Sequence, residues 1–326
     1  MIQQLFNSFD NLNIIIIGDV MIDAYLWGKV DRISPEAPVP IVSVTKKENR
    51  LGGAANVALN LQALGATPFI CATLGDDKEG HEFTQLLKEV NISDSGILKI
   101  AERQTTVKTR VIGHNQQILR IDAETDSEIS LSQSQQVLQN VSFFLAEHKI
   151  DAIIFEDYDK GLITQFLIDE VIKSAKQRNI PVIVDPKKRN FLSYKGVDLF
   201  KPNLKELKEG LKLDFNAQHH PSLQAAVAKL QKKISAKSVM VTLSELGVYV
   251  ASGDKEELTP AHIRTVADVS GAGDTVISVT AVCLAAGADI FTAAKIGNLA
   301  GGLVCEKVGV VPINKTQLLQ EALKLG

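Results

Sequence analysis

An α/β architecture is what this chain of 326 residues predicts: a central, mostly parallel sheet with helices on both faces and a small β-sheet lid. Strand-length apolar runs at Asn13–Gly18, Thr67–Thr73, Ala152–Phe155, Pro181–Val184 and Ser238–Leu243 alternate with helical periodicity at Ala54–Leu64, Leu131–His148, Thr164–Arg178 and Leu223–Ile234. The rhythm breaks twice. Residues 19–45 are turn-rich through Arg32-Ile33-Ser34-Pro35-Glu36-Ala37-Pro38-Val39-Pro40 and end in the alternating Ile41-Val42-Ser43-Val44. Residues 97–122 hold β-rich Thr105–Ile112 and Gln117–Ile121 around a hairpin-like Gly113-His114-Asn115, in which His114 reads as a polar turn residue. Neither stretch has a covering helix of its own. They are expected to pair as an antiparallel lid over the carboxyl ends of the parallel strands, where open α/β sheets bind ligands.

Residues 1–326 read as one domain without repeat, linker or low-complexity tract. At 45% hydrophobic and 22% charged the composition is that of a packed globule. With 35 Lys+Arg against 38 Asp+Glu, the net charge of -3 provides no basic field for nucleic acid or an anionic membrane. The N-terminal apolar run Ile14–Ile17 is too short to span a bilayer, and Met1–Asp10 lacks the basic start of a signal peptide, so the expectation is a cytoplasmic protein. Cys71, Cys283 and Cys305, odd in number and set among Ala, Val and Leu, read as reduced core residues. Lys201–Lys212 reads for the most part as a solvated helix face.

The sharpest chemical signal is Asp268-Val269-Ser270-Gly271-Ala272-Gly273-Asp274, running directly into a long helical pattern. Small residues there leave backbone N–H groups open at a helix N-terminus, a ready anion site. A carboxylate beside that cradle gains nothing from simple attraction but suits a base for an attacking hydroxyl; Asp274 could equally be a helix N-cap. A second cluster, Leu51-Gly52-Gly53-Ala54-Ala55-Asn56, also opens a helix, and taken singly it is more readily structural than functional. Neither is a Walker loop, since no Gly-Lys-Ser/Thr follows.

Taken together, Gly-Gly-x-x-Asn at 52–56 and Asp-x-x-Gly-Ala-Gly-Asp at 268–274 resemble the ribokinase-like (PfkB) family of carbohydrate kinases, with Asn203-Leu204-Lys205-Glu206 similar to its Asn-x-x-Glu element. Further segments resemble the heptose 7-phosphate kinases of that family: Gly18-Asp19-Val20-Met21-Ile22-Asp23, the 32–40 lid sequence, Asn115-Gln116-Gln117 with Arg120, Asp157-Tyr158-x-Lys160-Gly161 and Asp185-Pro186-Lys187. In bifunctional members a nucleotidyltransferase half is fused to such a kinase, and with the sequence ending at Gly326 that half is expected to be absent. Ala24, where a basic residue is expected, and Val310-Val311-Pro312, in place of a Thr/Ser-rich turn, depart from the pattern.

The resemblance implies a ribokinase-like fold and ATP-dependent phosphorylation of the anomeric hydroxyl, with Asp274 as base and the Gly271, Ala272 and Gly273 amides around the transferring phosphoryl group. Asp19, Asp23, Gly52, Gly53, Asn56 and Gln117 would face the sugar, and Arg120 and Lys187 its phosphate. Asn203 and Glu206 would act through Mg²⁺ and its waters. Thr242, Ser244, Gly247 and Asn298 would border the nucleotide, and Asp268 and Ser270 would hold a monovalent cation, K⁺. Trp27 and the alternating Ile41, Val42 and Val44 suggest a homodimer joined through the lids. Another sugar kinase, or a non-catalytic sensor on the same fold, are the competing readings.

Overall fold

Among the residues that the computed structural model describes, 2–113, 116–262 and 264–325, the strands form a nine-stranded and a four-stranded sheet. The hairpin residues His114 and Asn115 lie outside the described residues. The large sheet runs in the order β13 (Lys255–Thr259), β12 (Val248–Ser252), β11 (Ser238–Thr242), β10 (Leu199–Phe200), β9 (Val182–Asp185), β8 (Ala152–Glu156), β1 (Asn13–Gly18), β4 (Thr67–Gly75), β5 (Ile97–Ile100). From β11 to β5 every pairing is parallel; β12 and β13 add antiparallel strands at one edge.

Strand β1 shows why the sheet lies between two layers. Ile14, Ile15, Ile16 and Ile17 are all buried because alternate residues serve opposite faces. Ile14 and Ile16 join the core beneath α1 (Ile2–Ser8), α2 (Ala54–Leu64), α3 (Lys78–Glu89), α8 (Ala272–Ala285), α9 (Ile290–Cys305) and α10 (Lys315–Ala322). Ile15 and Ile17 join the core beneath α4 (Leu131–Glu147), α5 (Gln165–Gln177), α6 (Leu204–Leu211) and α7 (His220–Ile234). Cys71 and Cys283 are buried, Cys305 is half-buried, and all three are free thiols.

The lid is the four-stranded sheet, in the order β3 (Pro40–Gly53), β2 (Val20–Ile33), β6 (Val107–Gly113), β7 (Gln116–Ala123). Two expectations need correction. The lid is not wholly antiparallel, because β2 and β6 pair in parallel. Nor does it include Ile97–Ile100, which pairs with β4 at the edge of the large sheet; its short apolar pattern does not distinguish membership of one sheet from the other. The lid also extends past residue 45, since β3 continues to Gly53. One face carries Asp23, Lys108, Arg110, Arg120 and Asp122, and the opposite face carries Leu26, Val42, Val44, Val111, Leu119 and Ile121.

Candidate active site

The site forms at the carboxyl ends of the parallel strands, where the order switches direction between β1 and β8. Helix α8 is preceded by its N-cap Gly271, whose φ of 76° is left-handed and whose missing side chain leaves room for Asn56; a Cβ there would lie 2.8 Å from Asn56 Nδ2. Thr275 N–H makes the first helical bond, to Gly271 O at 3.0 Å, so the amides of Gly273 and Asp274 precede the helical ladder. The Ala272 amide, expected in the anion cradle, instead donates to Val269 O at 3.3 Å. Asp274 lies in the first turn and does not cap: Gly271 is the N-cap and no side chain serves it.

Both oxygens of the Asp274 carboxylate are held. Asn56 Nδ2 donates to Oδ2 at 2.8 Å and the Tyr158 hydroxyl donates to Oδ1 at 2.7 Å. Burial pushes the Asp274 pKa above the ordinary aspartate value, and the hydrogen bonds from Asn56 and Tyr158 oppose that rise. Asn56 sits at the start of α2, entered through Gly53, whose φ of 60° and tight approach to the Asp19 carbonyl admit only glycine. Gly52 packs its backbone against the Asp23 carboxylate, leaving no space for a side chain. The two glycine clusters therefore meet at one carboxylate.

Around it lies a buried charge cluster. Lys201, 2% exposed, pairs with Asp185 at 2.6 Å, and both lie beneath the Gly273 Cα. Burial opposes the Lys201 ammonium, but Asp185 and Glu156 hold its pKa above the usual lysine value. Glu156, 1% exposed, has one oxygen without a hydrogen-bond partner, and burial together with Asp185 and Asp274 pushes its pKa far up. Lys187 pairs with Glu206 at 2.5 Å and stands 5.3 Å from the Tyr158 ring centroid. Asn203 and Glu206 form a reciprocal capping box on α6, at 2.8 and 2.9 Å, so Glu206 has one oxygen on a backbone amide and the other on Lys187.

Several expected contacts fall elsewhere. The Asp19 carboxylate does not face open space; it accepts from the amides of Tyr158, Lys160 and Leu162 at 2.9, 3.1 and 3.4 Å and so holds that loop. Asp23 pairs with Arg110. Lys187, expected at a sugar phosphate, belongs with Glu206, whereas Gln117 and Arg120 lie on exposed β7, Arg120 paired with Asp122 at 2.9 Å. Directly across from Arg120 stands Arg110; beside them Lys108 pairs with Asp122 at 3.1 Å and Glu124 at 2.8 Å, and Lys160 pairs with Glu124 at 2.8 Å. Gly247 approaches Thr259 O and Ala261 N, Asn298 donates to Pro260 O at 2.8 Å, and Thr242 bridges to Asn203, so these residues share one rim with Ser244 in the turn between. Asp268 accepts from the amides of Ser270 and Gly309, each at 2.9 Å. Lys201, Glu156 and the Tyr158 hydroxyl were missed as site groups; a lysine directly after a short apolar strand was the available signal for the first. Among the described residues no cluster of three or more His, Cys, Asp or Glu converges as a metal site, and no helix is long and apolar enough to cross a membrane.

Residues 11–317 match the profile of the pfkB family carbohydrate kinases. The chain is 42% identical over 314 residues to the bifunctional protein HldE of Desulfatibacillum aliphaticivorans, covering 95% of this chain and 63% of that protein. It is 41% identical over 313 residues to HldE of Campylobacter jejuni subsp. doylei, covering 95% and 64%. It thus spans a little under two thirds of the length of these relatives. Phosphofructokinase-2 from Escherichia coli in complex with potassium superposes with a TM-score of 0.80 at 17% identity, covering 96% of this chain and 99% of that one. Ribokinase from Arabidopsis thaliana complexed with ribose and ATP gives 0.73 at 18%, covering 95% and 99%. These two likenesses establish the ribokinase-like α/β fold. With its profile matched from 11 to 317 and its two glycine clusters joined at Asp274, the chain belongs to the pfkB family of carbohydrate kinases.

Proposed function

We propose that the protein transfers the γ-phosphoryl group of ATP to the anomeric hydroxyl of D-glycero-D-manno-heptose 7-phosphate, giving the 1,7-bisphosphate and ADP, in the supply of ADP-heptose for lipopolysaccharide core. The observation that carries the reading is the placement of Asp274: a buried carboxylate in the first turn of α8, next to open amides and adjoining the lid's Asp23 through Gly52 and Asn56. The lid segment 32–40 and the Asp-Tyr-x-Lys-Gly loop favour a heptose phosphate as acceptor.

In the proposed step Asp274 takes the anomeric proton as the sugar oxygen bonds to the γ-phosphorus, and the bond from that phosphorus to the β–γ bridging oxygen breaks, leaving ADP. The Gly273 and Asp274 amides and the nearby Lys201 offset charge on the transferring group. Asp23, Asn56 and the Gly52–Gly53 backbone border the sugar; Asp19 acts through the loop that it holds. The sugar phosphate faces Lys108, Arg110, Arg120 and Lys160, since like charges directly opposed on neighbouring strands, as Arg110 and Arg120 are, are relieved by an anion. Lys187 is assigned to the nucleotide phosphates instead. Thr242, Ser244, Gly247 and Asn298 border the adenine and ribose.

Family membership implies ATP as donor and, typically, Mg²⁺, which supplies charge neutralisation on the phosphates when bound. Glu206, with its two oxygens committed to a cap and to Lys187, does not fit as a direct ligand; a role through water is the form compatible with it. Asp268 clasps its loop through amides on both oxygens, and each oxygen keeps a lone pair, so Asp268 and Ser270 stay compatible with a K⁺ site. The apolar lid face, with Val44, Leu119 and Ile121 each more than two-fifths exposed, is assigned to a second copy of the chain in a cytoplasmic homodimer.

Coupled measurement of ADP release with heptose 7-phosphate, fructose 6-phosphate and ribose tests the reading. Preferential turnover of heptose 7-phosphate is expected; preference for another sugar would move the chain to a different substrate, and binding without turnover would make it a sensor.

A further inference from the structure

We infer that Tyr158 is a positioning residue for the Asp274 base, its hydroxyl fixing the carboxylate orientation that receives the acceptor's proton and its ring joining that base to the Lys187–Glu206 pair. This rests on the kinase reading above. Tyr158 follows β8 on a loop fixed at both sides: Asp19 takes its amide, and Asp159 and Gly161 have left-handed φ values of 56° and 85°. The loop aims the phenol inward, where it reaches Asp274 Oδ1 at 2.7 Å, while Lys187 Nζ stands over its ring. Burial, with Asp274 and Glu156 nearby, pushes the phenol pKa far above its ordinary value, so the hydroxyl keeps its proton and acts only as a donor. Four further charged groups surround the base: Asp23 from β2, Glu156 from β8, Asp185 from β9 and Lys201 beyond β10. Asn56 from α2 is the other direct donor. Of the two direct donors, Tyr158 is the one that also contacts a cation paired with α6, so it links the acceptor side to the proposed nucleotide side.

Tyr158→Phe removes one oxygen and keeps the ring. The expected result is a kcat lowered roughly 10- to 100-fold, the loss expected for a hydrogen bond to a charged group. The acidic limb of the kcat/KM profile should move to higher pH, because a donor that favours the ionised carboxylate is gone. KM for ATP should stay within about 2-fold. Site-specific 3-fluorotyrosine at position 158, a stronger donor of the same shape, should move the limb to lower pH. If the limb stays in place in the fluorotyrosine protein, or moves the same way in both, the inference is wrong, whether or not Tyr158→Phe folds. Asp274→Asn separates the two levels. Near-normal turnover in that variant removes the base itself, whereas an inactive Asp274→Asn with an unmoved limb at 158 removes only the role of Tyr158.

Discussion

The buried acids at the sheet end and the paired acids Asp122 and Glu124 of the lid are perturbed in opposite directions. At the strand ends burial dominates: it raises Asp19 and Asp274, and pushes Asp157 and Asp185 up to about 6. In the lid burial is outweighed: hydrogen bonds from Arg120 and Lys108 hold Asp122 below its usual range, and those from Lys108 and Lys160 do the same for Glu124. The sheet end buries its carboxylates at some loss of stability and gains a poised base; the lid keeps its carboxylates ionised as counter-ions to cations. On the proposed reading, one region serves proton transfer and the other exchanges one anion for another.

The widest separation between the regions should come from Asp274→Asn, which lowers kcat by roughly 10²- to 10⁴-fold with sugar and ATP affinities, read by calorimetry, within a few-fold. Turnover near normal would break the assignment of proton transfer to the sheet end. Arg120→Ala, on the lid, should instead raise KM for the sugar phosphate by about 10-fold and leave ATP unaffected, while Lys187→Ala should weaken ATP. The reverse pattern would return Lys187 to the sugar side.

Acid should also distinguish the two regions. Asp157 and Asp185 bind protons more tightly when folded, so their contribution is present below the ordinary value of 3.8 and is lost as pH rises through about 6. Asp122 and Glu124 have lowered folded values, so theirs is present above the ordinary 3.8 and 4.5 and is lost as pH falls through the lowered values. At about pH 3, below both ordinary values, amide protection relative to intrinsic exchange should therefore fall in β6 and β7 while β1 and β8 stay protected; the opposite order would undo the comparison. The smallest effect concerns packing. Leu119→Lys on the exposed lid face should change monomer stability by no more than about 0.5 kcal/mol, yet sedimentation should show the dimer dissociated.

What the sequence disclosed follows locality. Ala54–Leu64 forms α2 at the predicted bounds, and the Gly271–Asp274 entry to α8 was legible, because glycine spacing and helical period are local signals. Asn56 meeting Asp274, 218 positions away, was reachable only through the family pattern. Lys201 was read with a solvated run, correctly for Lys205 in α6 but not for itself: its amide bonds Val184 O, and that parallel register places its ammonium on Asp185. The same holds for Lys187 and Glu206, whose pairing depends on how β9 and α6 are brought together. Parallel register is set by packing across the whole sheet, so no window of neighbouring residues contains it.

The lid meets the body at several places: Tyr25 and Arg50 bond the backbone of Val310, Asn49 bonds Glu82, and one further joint lies beside the base. Strand β2 begins one residue after β1 ends, β3 runs directly into α2, and the two meet where Val20 pairs with Gly53 and Asp19 O accepts the Ala54 amide at 3.0 Å. Mechanically, Asp19 is the fulcrum of an arm whose swing is braced by the Tyr25, Arg50 and Asn49 contacts. Fourteen residues of β2 at about 3.3 Å each reach roughly 40 Å, so a turn of about 5° at the fulcrum carries the tip some 3–4 Å. Asp19 also grips the Tyr158 amide, and Asn56 stands one turn beyond Gly53, so the joint that pivots the arm also bears both groups that clamp Asp274. In the proposed enzyme, load on the arm from bound sugar or from a second subunit would reach Asp274 in part through that joint.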